Sequence, residues 1–191
     1  MTHISIIGTG NMGQAIAGIA TKGGNTVELF NQADADKVAT GDIVVLAVPY
    51  PAVADVIAAR GDQMSGKIVV DITNPLNFET FDSLVVPADS SAAAEIAAAL
   101  PNSRVLKAFN TTFAGTLAAG TVGAVATTVL IAGDDSDAKA LLAGVITAGG
   151  IHAIDAGTLR RARELEALGF LQLTLAASEK ISWTGGFGLI A

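Results

Sequence analysis

The sequence has no cysteine among its 191 residues, so disulfides, thiolate nucleophiles and cysteine-based metal sites are excluded. A protein without cysteine suits a reducing compartment, and we expect it in the cytoplasm. The first residues, MTHISIIG, contain neither a cationic segment nor a cleavage site, so no secretory signal is predicted.

Basic residues are scarce. The chain has 11 lysines and arginines against 18 aspartates and glutamates, which gives a formal net charge of −7. The only dense basic cluster lies at residues 160–163 and is followed at once by Glu164 and Glu166, as is typical of a solvated helix face. Because contacts with phosphates need lysine and arginine, no nucleic-acid partner is predicted.

Long hydrophobic runs are also missing. Residues 108–133 carry no charge, but they include six threonines, four glycines and Asn110. This composition predicts strand, loop and strand, with the loop over 115–123, rather than a helix that spans a membrane. We therefore expect no membrane partner.

Short apolar runs alternate with helix-like segments along the chain, which predicts a doubly wound α/β fold with a mostly parallel sheet. Strands are expected at 3–7, 26–30, 43–48, 67–72, 104–109, 127–133 and 151–155. Helices are expected at 12–21, 51–59, 92–100, 136–147 and 159–181. A boundary near residue 150 is expected to separate a main domain, 1–150, from a small C-terminal helical cap, 151–191.

The connection between the second and third strands is short. Only 12 residues separate Phe30 from Ile43, which is near the minimum for a crossover between parallel strands. A full helix with its turns does not fit, so at most one turn is predicted, around 35–39. Few residues are then left to contact a ligand at the end of the second strand.

The strongest motif is IIGTGNMGQA, which places glycines in the order G-x-G-x-x-G directly after a strand and at the start of a helix. In a dinucleotide-binding loop, Gly8 permits the tight turn, Gly10 lets the pyrophosphate approach the backbone, and Gly13 lets the helix pack on the strand. The N–H groups at the start of the helix would then bind the phosphates. The contact would be lined by Thr9, Asn11 and Met12. Residues 1–150 are therefore expected to be a dinucleotide-binding domain.

The end of the second strand favours NADP over NAD. NAD sites usually place an acid there to accept hydrogen bonds from the ribose, and that acid would repel a 2′-phosphate. Asn31, 18 residues after Gly13, is neutral. Glu28 lies within the strand, where we expect it not to reach the ribose. Asn31 and Gln32 could hold a 2′-phosphate, with Lys37 as a further candidate; without an arginine, NAD stays the alternative.

The other ligand contacts are expected beyond the carboxyl ends of the following strands, where ligands bind in such sheets. Asparagine at a strand end often serves a turn alone, but two at adjacent ends beside a dinucleotide loop favour a binding site. The candidate residues are Val48, Pro49 and Tyr50 after the third strand, Asn74 and Pro75 after the fourth, and Phe109 and Asn110 after the fifth.

Taken in order, the segments GTGNMG, AVPY, DITNPLN, KAFNT, AGDD and DAGTLRRARELE resemble the coenzyme F420-dependent NADP oxidoreductases, including their short bacterial relatives. The resemblance extends over nearly the whole chain. It implies a Rossmann domain that binds NADP(H), a small C-terminal cap, a homodimer, and hydride transfer to a flavin- or deazaflavin-like acceptor. It also implies that the backbone around Phe109 and Asn110 faces the nicotinamide. The chain departs from the family at Asn31 and Gln32, where a serine and arginine clamp is usual, and in its short crossover.

The sequence offers no convincing acid or base. His3 opens the first strand, at the end of the sheet away from the ligand, and His152 lies in a late strand. Tyr50 has no Y-x-x-x-K partner, and Lys107 is expected on a face away from the ligand. No catalytic side chain and no metal site are predicted, which suits hydride transfer between two redox cofactors. The alternatives are a non-catalytic NADP(H) sensor, and a carbonyl or imine reductase that uses Tyr50 or Lys107.

The last helix predicts a subunit contact. Between Glu166 and Ser178 only Gln172 and Thr174 are polar. A helix that is apolar on nearly every side must be buried on more than one side. Because one small domain cannot cover it fully, a homodimer is expected.

Overall fold

The computed structural model describes residues 1–190, and Ala191 lies outside the described residues. Seven strands form one sheet in the order β2-β1-β3-β4-β5-β8-β9, and a small hairpin, β6-β7, stands apart. The strands are β1 His3–Ile7, β2 Thr26–Phe30, β3 Ile43–Leu46, β4 Ile68–Asp71, β5 Arg104–Lys107, β6 Thr121–Val122, β7 Val125–Ala126, β8 Thr128–Gly133 and β9 His152–Gly157.

Six α-helices accompany these strands in the described part of the chain. They are α1 Asn11–Lys22, α2 Val53–Met64, α3 Ala92–Ala99, α4 Ala114–Ala119, α5 Ser136–Ala148 and α6 Ala162–Ala177. Among residues 1–190, no helix has both the length and the apolar character that crossing a membrane requires.

The central strands are buried on both faces, because each face is covered by helices. All residues of β3 and β4 are buried, as continuous apolar runs in a parallel sheet require. Helices α1 and α5 pack on one face, and α2 and α3 pack on the other. The predicted doubly wound α/β fold is confirmed.

The sheet is parallel from β2 to β5 and changes direction once. Strand β8 pairs with β5 in the antiparallel sense, and β9 then runs parallel to β8. The predicted mostly parallel sheet is therefore confirmed. Its last strand is β9, residues 152–157.

The prediction of a loop at 115–123 is wrong. Residues 114–119 form helix α4, which ends at Gly120 with a left-handed φ of 75°. The glycines misled the prediction because they serve this helix rather than interrupt it: Gly120 ends it, and Gly115 gives room to a neighbouring segment. A Cβ atom at position 115 would lie 3.0 Å from the Thr184 side chain.

Three further predicted elements differ from the structure by three or more residues at one or both ends, whereas the other bounds agree within two. The single turn of the crossover is a 3₁₀ turn at Gln32–Asp34, earlier than 35–39, because Asn31 caps it through a hydrogen bond from Ala33 N–H to Asn31 Oδ1 (2.7 Å). Pro51 lies in a 3₁₀ turn, and α2 follows from Val53 to Met64 rather than ending at 59. The last helix covers 162–177 rather than 159–181.

Helix α6 is attached to the sheet by three buried charged side chains. The Lys107 ammonium, at the end of β5, lies 2.8 Å from the Asp71 carboxylate of β4 and 2.9 Å from the Glu166 carboxylate of α6. Lys107 also donates a hydrogen bond to the Thr73 carbonyl. Lys107 is thus fully buried between the sheet and α6.

Glu166 connects α6 to a second helix as well. Its two carboxylate oxygens accept hydrogen bonds from the backbone N–H groups of Ala92 (2.9 Å) and Ala93 (3.2 Å), in the first turn of α3. Burial raises the pKa of the Glu166 carboxyl above its ordinary value of 4.5, although the adjacent Lys107 ammonium opposes the shift. These contacts hold the sheet, α3 and α6 in one arrangement.

We predict that Lys107→Met lowers the free energy of unfolding by about 3–5 kcal/mol, because it leaves two buried carboxylates without their cation. Lys37→Met is the matched control, since Lys37 is 72% exposed and its ion pair with Asp34 lies at the surface. That change should cost about 1 kcal/mol or less. Urea unfolding of both variants measures the difference, and equal losses would contradict the prediction.

Candidate active site

The glycine loop between β1 and α1 has the geometry of a phosphate-binding turn. Gly8 adopts a φ of 120°, and a Cβ atom there would lie 2.0 Å from the Ala47 carbonyl oxygen at the end of β3. A Cβ atom at Gly13 would lie 2.1 Å from the Gly8 carbonyl oxygen. Both positions therefore require glycine, because the backbone passes too close for any side chain.

Gly10 has a different role from its two neighbours. A Cβ atom there would meet no protein atom within 4 Å, so the space in front of the loop is open. Gly10 is also the N-cap of α1, where no side chain caps the helix and no acid lies in the first turn. Exposed N–H groups and the positive end of the helix dipole face this space, which suits a pyrophosphate. Thr9 and Asn11 are exposed beside it.

The end of β2 presents neutral side chains to solvent. Asn31 and Gln32 are both exposed. The Asn31 N–H donates to the Asp34 carboxylate (3.0 Å), and this hydrogen bond, together with the adjacent Lys37 ammonium, lowers the pKa of Asp34. The acid nearest to this strand end is thus already paired with a cation.

Sequence reasoning missed Arg60, a residue of α2 that stabilises the crossover between β2 and β3. Its guanidinium lies 5.1 Å from the Phe30 ring centroid and donates to the carbonyl groups of Asp34 and Lys37. Arg60 is buried. Its position as the only basic residue of the otherwise alanine-rich α2 is the signal that could have identified it.

The Glu28 side chain stabilises the fold and is not available to a ligand at the end of β2. Its carboxylate accepts hydrogen bonds from the Ser5 hydroxyl and from the N–H (2.9 Å) and hydroxyl (3.2 Å) groups of Thr40. These contacts fix the end of the crossover against β1. The Glu28 carboxylate is therefore occupied by hydrogen bonds within the protein.

The two asparagines that follow β4 and β5 bind each other. Asn74 Nδ2 donates to the Asn110 carbonyl (2.8 Å), and Asn110 Nδ2 donates to Asn74 Oδ1 (2.9 Å) and to the Leu165 carbonyl of α6 (2.8 Å). Gly169 of α6 makes this possible, since a Cβ atom there would lie 2.2 Å from Asn74 Oδ1. Asn110 Oδ1 is buried with no hydrogen-bond partner among the described residues.

The backbone between these asparagines is strained. Phe109 has a φ of 64°, a left-handed conformation that costs a bulky residue about 1–3 kcal/mol. The Phe109 carbonyl accepts hydrogen bonds from both the N–H (3.1 Å) and the hydroxyl (2.7 Å) of Thr112, which hold the conformation. Such strain often marks a functional site.

A cavity of about 460 Å³ joins the glycine loop to the asparagine pair. Of the predicted site residues it brings together Asn11, Met12, Asn74 and Asn110. The rest of its lining comes from the end of β4, from α4 with the residues before it, from α6 and from the C-terminal tail: Ile72, Thr112, Phe113, Ala114, Gly115, Leu173, Trp183 and Thr184. None of the lining side chains is ionisable.

Other predicted residues lie elsewhere. Val48 and Tyr50 pack against the core formed with α2 and α3. The Tyr50 hydroxyl donates to the Glu95 carboxylate, and burial followed by this contact raises the pKa of Tyr50 far above its usual value. Pro49 is exposed, and Pro75 and Phe109 are buried.

Comparisons with known proteins identify several similar oxidoreductases. The sequence model of the family described as "NADP oxidoreductase coenzyme F420-dependent" matches residues 25–75. The F420-dependent NADP reductase of Methanocaldococcus jannaschii is 30% identical over 166 residues, which cover 85% of this chain and 74% of that protein. The rat (Rattus norvegicus) metalloreductase STEAP3 is 35% identical over 133 residues, which cover 70% of this chain and 25% of that protein.

A solved structure from Arthrobacter sp. FB24, named as a candidate F420-dependent NADP reductase, is similar over the full length of both chains. Its TM-score is 0.86 and its sequence identity is 25%. The similarity therefore extends over the whole chain and is not limited to the glycine loop.

We predict that Gly10→Ala weakens NADPH binding at least about tenfold, because its methyl group enters the space in front of α1 where a pyrophosphate would lie. Gly18→Ala is the matched control, since a Cβ atom there also meets no atom within 4 Å but lies on the exposed side of α1. Calorimetry with NADPH measures both. Thermal unfolding should show both variants folded, and similar affinities would contradict the prediction.

Proposed function

The chain belongs to the coenzyme F420-dependent NADP oxidoreductase family, and on that premise we propose that it transfers a hydride between NADP(H) and a flavin- or deazaflavin-like acceptor. The observation that carries the proposal is the cavity that extends from the glycine loop to the asparagine pair without an ionisable side chain. A carbonyl reductase needs a proton donor at the reacting oxygen, whereas hydride transfer between two redox rings depends chiefly on position.

The reaction balances without an acid from the protein. In the direction of NADPH oxidation, the C4–H bond of the dihydronicotinamide breaks, and the hydrogen leaves with both bonding electrons. A new bond forms to N5 of a flavin or to C5 of a deazaflavin, and NADP⁺ remains. The reduced acceptor anion then takes one proton from water.

Under this proposal, the predicted site residues bind different parts of the cofactor. The loop of Gly8, Gly10 and Gly13 would bind the pyrophosphate, with Thr9, Asn11 and Met12 beside it. Val48, Pro49 and Tyr50 would flank the cofactor after β3. The strained backbone at Phe109 and Asn110, supported by Asn74 and Pro75, would face the nicotinamide. No described side chain is assigned as an acid or a base.

NADP is proposed over NAD for an electrostatic reason. Asn31 and Gln32 are exposed and neutral, so neither repels a 2′-phosphate. The nearby Asp34, which accepts a hydrogen bond from the Asn31 N–H, is paired with Lys37 at 2.6 Å, so its negative charge is offset by that cation.

We also propose that residues 1–150 supply the dinucleotide site and that residues 151–191, after the strand β9 that completes the sheet, form a cap that contacts a second subunit. Helix α6 buries one face, but its Leu171 is 49% exposed. In the tail that follows, Phe187, Leu189 and Ile190 are exposed as well. Covering such apolar side chains in a homodimer would remove them from water.

We predict that Asn31→Asp weakens NADPH binding at least about tenfold and leaves NADH binding nearly unchanged, because it places a negative charge beside the 2′-phosphate. Aspartate still accepts the capping hydrogen bond from Ala33, as asparagine does. Asn31→Ser is the control, since it keeps a capping oxygen without the charge. Calorimetry decides, and a wild-type protein that prefers NADH would exclude the NADP assignment.

We predict that the wild-type protein oxidises NADPH with a flavin or a 5-deazaflavin, and that Tyr50→Phe retains kcat within about threefold, since no side-chain acid is needed. A catalytic tyrosine would instead cost about 10²–10⁴-fold. Stopped-flow loss of NADPH absorbance measures both. Tight NADPH binding without turnover of any acceptor would favour the non-catalytic sensor, and a large loss in Tyr50→Phe would favour a carbonyl or imine reductase.

A further inference from the structure

We propose that Trp183 is a specificity-determining residue that stacks on the flat fused ring of the electron acceptor. It lies in the C-terminal tail, residues 182–190, which follows α6. This inference rests on the proposed hydride transfer and adds to it the wall against which the acceptor binds. The supporting observations are the position of Trp183 on the cavity, its exposure, and the contacts that hold the tail in place.

The tail is fixed at two points that follow Trp183 closely in the chain. Gln172 of α6 is buried and bridges the tail to the chain before α4: its Oε1 accepts from Phe187 N–H (3.1 Å) and its Nε2 donates to the Thr111 carbonyl (3.3 Å). Gly115 of α4 lies so close to the tail that a Cβ atom there would meet Thr184 at 3.0 Å. The ring is therefore held at the cavity rather than free in solvent.

The Trp183 ring packs on one aromatic side chain and remains about half exposed. It packs on Phe113 with a centroid distance of 5.1 Å and an interplanar angle of 54°. It nevertheless remains 54% exposed, although a large apolar ring is usually covered when a partner is available. Trp183 also lines the cavity that contains Asn11 and Met12. An aromatic surface held at a cavity is suited to stack on a second aromatic ring.

The composition of the cavity selects the kind of ligand. Its lining has two aromatic rings, Phe113 and Trp183, with aliphatic and amide groups, and no ionisable side chain. A neutral flat ring suits these walls, whereas a phosphate or carboxylate would enter without a countercharge. The glycine loop lies at the other side of the same cavity. The dinucleotide would therefore enter from the loop, and the acceptor ring would bind between the nicotinamide and Trp183.

The test separates acceptor binding from cofactor binding. In Trp183→Ala, we expect the KM for the acceptor to rise about tenfold, with the Kd for NADPH within about twofold of wild type. Trp183→Phe should restore most of the loss, because it retains a ring. Phe78→Ala is the control, since Phe78 is a similarly exposed aromatic side chain (50%) that is absent from the cavity lining; it should behave as wild type.

Trp183 is also the only tryptophan of the chain, so its fluorescence reports on the site directly. Riboflavin and 5-deazariboflavin, added separately in the presence of NADP⁺, should each quench the emission after correction for absorption. Quenching by either ring with the predicted rise in KM supports the proposal. An unchanged acceptor KM in Trp183→Ala, an equal rise in Phe78→Ala, or absence of quenching overturns it.

The two proposals fail in different ways. If the wild-type protein binds NADPH but reduces no acceptor, the proposed hydride transfer is wrong, and quenching by the oxidised rings still decides whether Trp183 contacts them. If the wild-type protein reduces an acceptor and Trp183→Ala does so with the same KM, only the role of Trp183 is wrong. Thermal unfolding of all three variants verifies that each is folded.

Discussion

The arrangement of the site depends on one buried cation. The Lys107 ammonium contacts a carboxylate of the sheet, Asp71, and a carboxylate of α6, Glu166, at 2.8 and 2.9 Å. A buried charge costs several kcal/mol unless it is paired and hydrogen-bonded, so moving α6 away from the sheet would expose or unpair all three groups. The favourable geometry is therefore narrow, and α6 has little freedom to shift along the sheet.

Because α6 is fixed, the residues on one of its faces also fix the positions of the groups that line the cavity. Leu165 accepts a hydrogen bond from Asn110, Gly169 gives room to Asn74, and Gln172 binds both the tail and the chain before α4. These residues lie three or four positions apart, so they share one side of the helix. The asparagine pair and the wall that contains Trp183 are thus aligned by the same element that Glu166 attaches to the sheet.

The features predicted correctly from the sequence are those that depend on residues close together in the chain. The glycine spacing identified Gly8, Gly10 and Gly13, and apolar runs located the seven strands of the sheet, because turn geometry and burial depend on neighbouring residues. The partners of Lys107 could not be predicted, since they lie 36 and 59 positions away (107 − 71 and 166 − 107). Helix α4 was missed for the same reason, because Gly115 serves a contact with the distant tail.

The molecule separates the charges that stabilise it from the site where a hydride would move. Lys107 and its two carboxylates are sealed between the sheet and α6, while the cavity lining contains no ionisable group. A hydride carries its own electrons and needs no acid on the protein, and a nearby fixed charge would favour one redox state of the nicotinamide over the other. A neutral lining avoids that bias, so the cavity walls themselves would favour neither the oxidised nor the reduced nicotinamide.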